Sequence, residues 1–304
     1  MRKVGIVGIG HVGATVAHLI VSQGLADELV LIDKKPEKVA SEALDFSDAA
    51  SLLDKHIDVH VGDYPDLADA DVVISALGHI HLIKPDGDRF GELKANLPMA
   101  KQVGADLKAV GFNGVLLAIS NPVDVITGIY QQATGLPSAQ VIGTGTYLDT
   151  ARLKRVFGEA LGVDPRSVNG YVLGEHGASQ FAAWSTVNVM GQNARTWAAE
   201  KSLDLDKLEN DARVGGFTVH SGKGYTNFAI AHAAVSLLQI ILSDARKEAI
   251  VSHYNEDFDG YISSPAIIGR GGVVANFDLP LTPEEQDKLA ASAKAIQTKT
   301  ADYS

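Results

Sequence analysis

The sequence predicts an α/β fold, in which a doubly wound parallel sheet is followed by a second domain of α+β type. In the first half of the chain, short apolar runs alternate with segments of helical periodicity, which is typical of a parallel sheet with helical crossovers. The pattern changes after residue 143, and 304 residues correspond to two domains of about 150 residues each. We therefore expect a first domain over residues 1–143 and a second over residues 144–304, with a cleft between them.

The first half is predicted to form β–α units in chain order. Its strands are short, apolar and β-branched, as in a buried parallel sheet, and comprise Lys3–Ile9, Leu29–Ile32, Val72–Ser75 and Val115–Ile119. Its helices carry apolar residues at helical spacing and comprise His11–Gln23, Pro36–Leu53, Leu93–Ala109, Val125–Gln132 and Leu148–Leu161. Helices in these positions would cover both faces of the sheet.

The second half mixes long helices with strands of more polar alternation. The predicted strands are Val168–Leu173, Trp184–Val189, Ala249–His253, Ala266–Gly269 and Val273–Asn276. The predicted helices are Asp204–Val219, Tyr225–Asp244 and a last helix that begins after Thr282. At that last start, Thr282 suits the N-cap, Pro283 the first turn and Glu285 the third position of a capping box.

Composition excludes several classes of protein. With 46% hydrophobic and 21% charged residues, the chain is not intrinsically disordered, and its lack of cysteine excludes disulfides, thiolate metal sites and a cysteine nucleophile. A net charge of −11 disfavours a nucleic-acid partner, and the absence of an uninterrupted apolar stretch of about 18 residues disfavours a membrane span. We therefore expect a cytoplasmic protein without nucleic-acid or membrane partners.

A glycine-rich motif follows the first strand and opens the first helix. The residues at 8–13, GIGHVG, match G-x-G-x-x-G, in which Gly8 allows the tight turn, Gly10 the approach of a pyrophosphate, and Gly13 the close packing of helix on strand. Asp33 ends the second strand roughly 20 residues further on, where a carboxylate would bind the adenosine ribose hydroxyls and repel a 2′-phosphate. The two lysines after Asp33 argue weakly for the phosphate and are read as a solvated turn. The motif therefore predicts a Rossmann-type sheet that binds NAD rather than NADP.

Polar residues in three further segments are candidates for chemistry. Asp149 and Arg152 lie three positions apart on a predicted helix and share one face. His176 stands between glycines in the segment GEHG, directly after a predicted strand. Asn121 follows the strand Val115–Ile119, at the carboxyl edge of the sheet where ligands of open α/β sheets bind. Taken singly, each residue also fits a structural role, such as a surface ion pair.

Together these segments resemble the L-lactate/malate dehydrogenase family along nearly the whole chain. The matching segments, in family order and at family spacing, are GIGHVG, VLID, SNPVD, YLDTAR, VLGEHG and KGYT. Within the family the chain is most similar to the L-2-hydroxyisocaproate dehydrogenases, which act on branched-chain 2-hydroxy acids. The resemblance implies an NAD-dependent oxidoreductase with a small 2-oxo or 2-hydroxy acid substrate, and a homo-oligomer, either a dimer or a tetramer.

The resemblance also assigns roles to the polar residues. His176 would be the general acid–base, a task that suits imidazole because this group titrates near neutrality. Asp149 would orient that imidazole, and Arg152 would bind the substrate carboxylate through two parallel hydrogen bonds. Arg89 would polarise the substrate carbonyl and stabilise the charge that develops on it.

Two softer assignments follow from the same resemblance. Asn121 matches the family position next to the substrate and the nicotinamide, and Thr226, in KGYT, matches a position in the substrate wall. The segment from Gly78 to Arg89 matches a loop that closes over the substrate, and it is about two residues longer than in typical lactate dehydrogenases. The residue of this loop that selects the substrate is therefore not aligned uniquely.

The loop composition favours a bulky aliphatic substrate of the 2-oxoisocaproate type. Residues 79–88 contain neither the arginine typical of malate dehydrogenases nor the glutamine typical of lactate dehydrogenases, and His81, Leu82 and Ile83 are the candidates for substrate contact. Gly215 and Gly216 would widen the pocket, or alternatively permit a close helix crossing. The alternatives are an L-lactate dehydrogenase, a malate dehydrogenase and, from a different class, a non-catalytic NAD-sensing protein.

Two kinds of additional site are not expected. His56 and His60 lie four residues apart in a predicted strand without a third ligand, and the chain has no H-E-x-x-H motif, so no metal site is predicted. Some lactate dehydrogenases bind fructose 1,6-bisphosphate through an arginine and a histidine. Lys154 and Asn169 occupy the matching positions here, so we expect no activation by this sugar phosphate.

Overall fold

A computed structural model describes residues 1–78 and 89–301 of the chain. Its dominant feature is a nine-stranded sheet, whose first six strands in the chain are parallel and run in the spatial order β6-β5-β4-β1-β2-β3. These strands are β1 (Lys3–Val7), β2 (Glu28–Ile32), β3 (Asp58–Val61), β4 (Val72–Ser75), β5 (Val115–Ala118) and β6 (Val141–Gly143). The order reverses between β1 and β4, which confirms the predicted Rossmann-type sheet.

Helices cover both faces of this sheet. In the first half they are α1 (His11–Gln23), α2 (Pro36–Ala50), α3 (Leu93–Ala109), α4 (Val123–Thr134) and α5 (Tyr147–Leu161). In the second half they are α6 (Ala194–Lys201), α7 (Leu205–Lys223), α8 (Phe228–Leu242) and α9 (Pro283–Ala301). The predicted helices agree with the structure to within three residues at each end, except that α7 ends at Lys223 rather than Val219. The short helix α6 was not predicted.

Two apolar cores lie on opposite sides of the sheet. Because side chains alternate along a strand, Val72 and Ile74 of β4 face the core formed with α1, α2 and α8, whereas Val73 faces the core formed with α3, α4 and α9. The strand residues in both cores are almost fully buried. Burial on both faces explains why these strands are continuous apolar runs in the sequence.

The second half of the chain extends the same sheet. The long strands β12 (Lys247–Asn255) and β13 (Gly260–Gly269) form an antiparallel pair, β14 (Gly272–Asn276) follows at the edge, and β12 joins β6 through Ser252 and Gly143. The sheet is therefore continuous across residue 143, which the sequence pattern did not indicate. The division into domains at residues 143 and 144 stays a prediction.

The segment 168–173 is not one strand, as predicted, but two. The strands β7 (Val168–Asn169) and β8 (Val172–Leu173) belong to different small sheets, the first with β10 (Asn188–Val189) and β11 (Gln192–Asn193), the second with β9 (Phe181–Ala182). Gly170 lies between them with φ +126°, and a Cβ atom there would lie 2.6 Å from the Val187 side chain. This backbone conformation interrupts the strand, because residues other than glycine rarely adopt it.

The predicted strand Trp184–Val189 is wrong over most of its length, since regular pairing begins at Asn188. Before it the backbone turns tightly: the N–H groups of Trp184 and Thr186 donate to the carbonyls of Ala182 and Ala183. By contrast, the capping box of the last helix is confirmed, because Thr282 and Glu285 each donate a backbone N–H to the other's side chain. Within the described ranges, no helix is both long and apolar enough to cross a membrane.

Candidate active site

The glycine-rich loop between β1 and α1 has the geometry that its motif predicts. Gly8 has φ +97°, and a Cβ atom there would lie 3.0 Å from the carbonyl carbon and oxygen of Ala76. A Cβ atom on Gly13 would lie 1.9 Å from the carbonyl oxygen of Gly8, so helix and loop pack too closely for any side chain. Gly10, in contrast, has no atom within 4 Å of its Cβ position and leaves the space before the α1 N-terminus open. An anionic group can therefore reach the N–H groups that begin this helix.

Asp33 lies beside this loop at the end of β2. Its Oδ2 accepts a 2.7 Å hydrogen bond from the backbone N–H of Ile9, and its Oδ1 accepts one of 3.0 Å from that of Lys35. These bonds orient the carboxylate while its remaining lone pairs stay free to accept from hydroxyl groups. Lys38 bonds the carbonyl of Ile9 and thus ties α2 to the same loop.

A cavity of about 1320 Å³ opens at the carboxyl edge of the sheet. Seven of the predicted site residues line it: Gly8, Gly10, Asp33, Asn121, Arg152, His176 and Thr226. Gly13 packs behind the loop, as described above. The volume of the cavity accommodates a dinucleotide together with a small second ligand, whereas a pocket for one drug-sized molecule measures roughly 300–1,000 Å³.

NAD fits this cavity on geometric grounds. The cavity is lined by Gly8 and Gly10 of the phosphate loop and by Asp33, which are the groups that a pyrophosphate and an adenosine ribose require. The same cavity is also lined by Asn121, Thr226 and His176, and there it can hold the nicotinamide and a second, small molecule.

The side chains of His176 and Asp149 form a hydrogen bond across 27 positions of the chain. The imidazole Nδ1 lies 2.5 Å from Oδ2 of Asp149, and Asp149 is only 3% exposed. Because the carboxylate can only accept, we assign the proton of this bond to Nδ1, which leaves Nε2 to exchange a proton with a ligand. Held in this way, the ring lines the cavity with Nε2 available for proton exchange, which suits an acid–base residue.

The same carboxylate holds the predicted substrate-binding arginine. Nη1 of Arg152 donates to Oδ1 of Asp149 at 2.9 Å, and the arginine side chain is 14% exposed in the cavity wall. One oxygen of Asp149 therefore serves the imidazole and the other the guanidinium. The imidazole and the guanidinium are thus held side by side in the wall of one cavity, which suits a carboxylate ligand that must also exchange a proton.

Gly215 and Gly216 do not widen the cavity in the way that the sequence suggested. They lie on α7 against Arg152 of α5, where a Cβ atom on Gly216 would lie 3.1 Å from Nη2 and one on Gly215 would lie 3.6 Å from Cδ. In the parts of the chain that the structure describes, the cavity wall does not include them. The alternative of a close helix crossing is therefore the one that the structure supports: the glycines make room for the guanidinium.

The segment that carries His176 is tied to the second half of the sheet. The backbone of Gly174 forms a bridge with Ser263 of β13, and the N–H of Glu175 donates to Oγ of Ser292 on α9 at 2.7 Å. The carboxylate of Glu175 accepts from the hydroxyl of Ser179 at 2.5 Å. Sequence reasoning missed these anchors, because Ser263 and Ser292 belong to no motif.

Asn121 and the KGYT segment occupy the cavity wall from two sides. The carbonyl of Asn121 accepts from Nδ2 of Asn96 at 2.7 Å, and the peptide bond that follows Asn121 is cis. Thr226 follows Tyr225, whose ring stacks on His11 at a centroid distance of 3.8 Å and an interplanar angle of 6°. This stack joins the phosphate loop to the predicted substrate wall, and no spacing in the sequence indicated it.

Several predictions fall on residues 79–88, which lie outside the described residues. They include the substrate-selecting candidates at positions 81–83. Arg89 begins a short 3₁₀ helix, Arg89–Glu92, and the role predicted for its side chain is not tested by the described contacts. Among the residues that are described, no group of three or more histidine and acidic side chains is arranged to hold a metal ion.

Comparison with known proteins decides the family. The model of the lactate/malate dehydrogenase NAD-binding domain matches residues 2–143, and that of the lactate/malate dehydrogenase α/β C-terminal domain matches residues 146–303. The chain belongs to the lactate/malate dehydrogenase family. It is accordingly an NAD-dependent oxidoreductase that acts on the CH–OH group of a 2-hydroxy acid.

Individual relatives in this family carry the name of lactate dehydrogenase. L-lactate dehydrogenase 1 of Bifidobacterium longum is 40% identical over 308 residues, which cover 97% of this chain and 96% of the relative. L-lactate dehydrogenase of Clostridium perfringens is 34% identical over 97% of this chain and 95% of its own length. The crystal structure of the minor L-lactate dehydrogenase from Enterococcus mundtii, in the ligands-bound form, superposes with a TM-score of 0.93 at 35% identity, over 99% of this chain and 98% of that one. None of these three is called a hydroxyisocaproate dehydrogenase, so the comparisons do not support that finer resemblance.

Proposed function

We propose that the protein is an L-lactate dehydrogenase, which reversibly reduces pyruvate to L-lactate. The observation that carries the proposal is the carboxylate of Asp149, which holds the imidazole of His176 and the guanidinium of Arg152 at one end of the NAD cavity. The names of the relatives support pyruvate as the substrate.

The residues divide the reaction between binding and proton transfer. Arg152 binds the carboxylate of the 2-oxo acid with the guanidinium N–H groups that face the cavity, and thereby directs C2 and its carbonyl towards His176. NADH, when bound, supplies the hydride that C2 accepts. The Nε2 proton of His176 passes to the carbonyl oxygen, so the carbonyl becomes the hydroxyl of the product and the ring becomes neutral.

Two further side chains complete the proposed mechanism. Asp149 stabilises the protonated ring before the transfer and keeps Nδ1 in its donor role afterwards. Arg89, by its family position, is proposed to stabilise the negative charge that develops on the carbonyl oxygen. In the reverse direction the neutral imidazole accepts the hydroxyl proton of L-lactate, so reduction and oxidation require opposite protonation states of His176.

A second candidate substrate is a bulky aliphatic 2-oxo acid such as 2-oxoisocaproate. The apolar residues Leu82 and Ile83, and the absence of arginine and glutamine from 79–88, favour it. Each additional buried CH₂ group would favour the larger acid by about 0.8 kcal/mol. The lack of an arginine also disfavours a dicarboxylate such as oxaloacetate, since a second buried carboxylate would have no partner from this segment.

A substrate panel tests the choice directly. We would compare kcat/KM for pyruvate, 2-oxoisocaproate and oxaloacetate at saturating NADH, and we expect pyruvate to have the highest value. A clearly higher value for 2-oxoisocaproate would establish the second candidate, and a higher value for oxaloacetate would contradict both.

A His176→Asn variant separates an enzyme from a non-catalytic NAD-sensing protein. We expect this variant to bind NADH as tightly as the wild type, because His176 is remote from the phosphate loop, and to lose turnover of every acid. We also propose a homo-oligomer, which light scattering of the purified chain would detect as a multiple of 32.1 kDa.

A further inference from the structure

The backbone of His176 is held by a second buried carboxylate, which lies on a different helix from Asp149. Asp124, in the first turn of α4, is 3% exposed, and its Oδ2 accepts a 2.9 Å hydrogen bond from the backbone N–H of His176. Its Oδ1 accepts one of 3.0 Å from the hydroxyl of Ser263 on β13. Burial raises the pKa of Asp124, and interactions with Ser252, His176 and Ser263 act against that rise. A carboxylate this deeply buried is costly to keep, so its contacts call for an explanation.

The segment around His176 depends on contacts from outside itself. Gly174 has φ +93°, and Gly177 follows the histidine directly, so glycines without side-chain packing stand on both sides. Successive backbone N–H groups are each held by a different element: that of Gly174 by the carbonyl of Ser263, that of Glu175 by Oγ of Ser292, and that of His176 by Asp124. At the catalytic position this acceptor is a side-chain carboxyl group that comes from another helix, α4.

The two carboxylates constrain different ends of the same residue. Asp149 of α5 bonds the ring at Nδ1, and Asp124 of α4 bonds the backbone nitrogen. With the backbone nitrogen and the ring both held, the direction of Nε2 is determined by two helices that pack against the same sheet. If the backbone contact with Asp124 were lost, the ring could still bond Asp149 while Nε2 pointed away from the carbonyl oxygen.

We propose that Asp124 is a positioning residue for proton transfer, which fixes the backbone of His176 so that Nε2 faces the substrate carbonyl. The inference rests on the proposed function, since it presupposes that His176 exchanges a proton with a 2-oxo acid. Asp124 touches neither substrate nor cofactor in this scheme and acts through His176. A merely structural tie between α4 and β13 would predict a loss of stability without a selective loss of kcat.

Two substitutions separate these roles. Asp124→Ala removes the acceptor, and we expect kcat to fall by roughly 10–100-fold, because small displacements of a catalytic group have effects of this size. The dissociation constant of NADH, measured by its fluorescence, should stay within about twofold, because the phosphate loop is untouched. Asp124→Asn keeps an amide oxygen for the N–H of His176, and its amide group can donate to the hydroxyl of Ser263. We expect this variant to retain kcat within about threefold of the wild type.

Glu285→Ala is the matched control. Glu285 lies at the start of α9, is not part of the cavity wall and is also 3% exposed. Its carboxylate accepts hydrogen bonds from the backbone N–H and the hydroxyl of Ser185. We expect it to lower the melting temperature while kcat stays within about twofold. If Asp124→Ala does not fold, Ser263→Ala takes its place: it frees one oxygen of Asp124 and should lower kcat by roughly three- to tenfold with an unchanged KM for the 2-oxo acid.

The outcomes are distinguishable. A folded Asp124→Ala variant with kcat within threefold of the wild type would overturn the inference. So would an Asp124→Asn variant as impaired as Asp124→Ala, or a control that loses kcat to the same extent. Where Ser263→Ala stands in, an unchanged kcat would overturn it. If the wild type reduced none of the 2-oxo acids, the proposed function itself would fail, whatever the variants did.

Discussion

Asp149→Asn should strongly reduce catalysis, because one buried carboxylate holds two of the predicted site residues. The wild-type carboxylate makes two charge-assisted hydrogen bonds, 2.5 Å from Nδ1 of His176 and 2.9 Å from Nη1 of Arg152, and its residue is 3% exposed. Bulk water therefore cannot reach the two partners and take the place of the carboxylate. An asparagine can offer its one carbonyl oxygen to one partner, and its amide group faces the other as a second donor.

The magnitude follows from these two contacts. The bond that is lost to a charged group contributes about 1.5–3 kcal/mol, and the buried donor left facing another donor costs about 1–3 kcal/mol, so the total is about 2.5–6 kcal/mol. At 1.36 kcal/mol for each factor of ten, kcat/KM for pyruvate should fall by about 10²–10⁴.

Steady-state kinetics with pyruvate and NADH measure the loss of kcat/KM, and a fluorescence titration with NADH measures the binding of the cofactor. We expect an almost unchanged dissociation constant for NADH. Glu159→Gln is a matched control on the same helix, because Glu159 pairs with Arg155 at 2.8 Å but both side chains are largely exposed. It should change kcat/KM by less than about twofold, as exposed pairs contribute little. A variant Asp149→Asn within tenfold of the wild type would refute the assignment of the buried carboxylate.

Three further predictions concern cofactor binding, stability and regulation. Gly13→Ala should weaken NADH binding at least tenfold in a fluorescence titration, since its Cβ would lie 1.9 Å from the carbonyl oxygen of Gly8. Gly222→Ala is the control and should leave NADH binding unchanged, because no atom lies within 4 Å of its Cβ position. Burial lowers the pKa of His253 below its usual 6.5, so the unfolded chain binds more protons than the folded one as the pH falls through that value. The free energy of unfolding in urea should therefore decrease from pH 7.5 to 5.5, and His253→Gln should make this decrease smaller. Fructose 1,6-bisphosphate should leave the rate unchanged. The uncharged Asn169 stands where the family site has a histidine, and Lys154 lacks the two-point fork of an arginine. A clear activation would contradict this.

The elements of the first half were predictable because their signals are local. A buried parallel strand is a short apolar run, and the glycines of the phosphate loop must occupy particular backbone conformations wherever the motif is used. The structure accordingly agrees with the predicted α1 and α3 at both ends, and with the turn at Gly8. The strand 168–173 failed because a single glycine conformation at Gly170 depends on the packing of Val187, far along the chain.

The candidate site was predictable in its membership but not in its connections. The residue types and the family resemblance pointed to His176, Asp149 and Arg152, whereas the anchors Asp124 and Ser263 carried no role in the sequence reasoning. A hydrogen bond between a backbone N–H and a distant carboxylate leaves no periodic trace in the sequence. It exists because two helices and an antiparallel strand meet at one place.

By itself, the sequence determined the α/β class, the NAD-binding loop, Asp33 at the end of the second strand and the set of polar residues available for chemistry. These follow from local periodicity, backbone conformation and residue type. Only the tertiary structure decided that the second half extends the first sheet through Ser252, that the two glycines of α7 accommodate Arg152, and that one carboxylate serves both the imidazole and the guanidinium. These features depend on strand register and helix packing between distant segments, which local patterns do not specify.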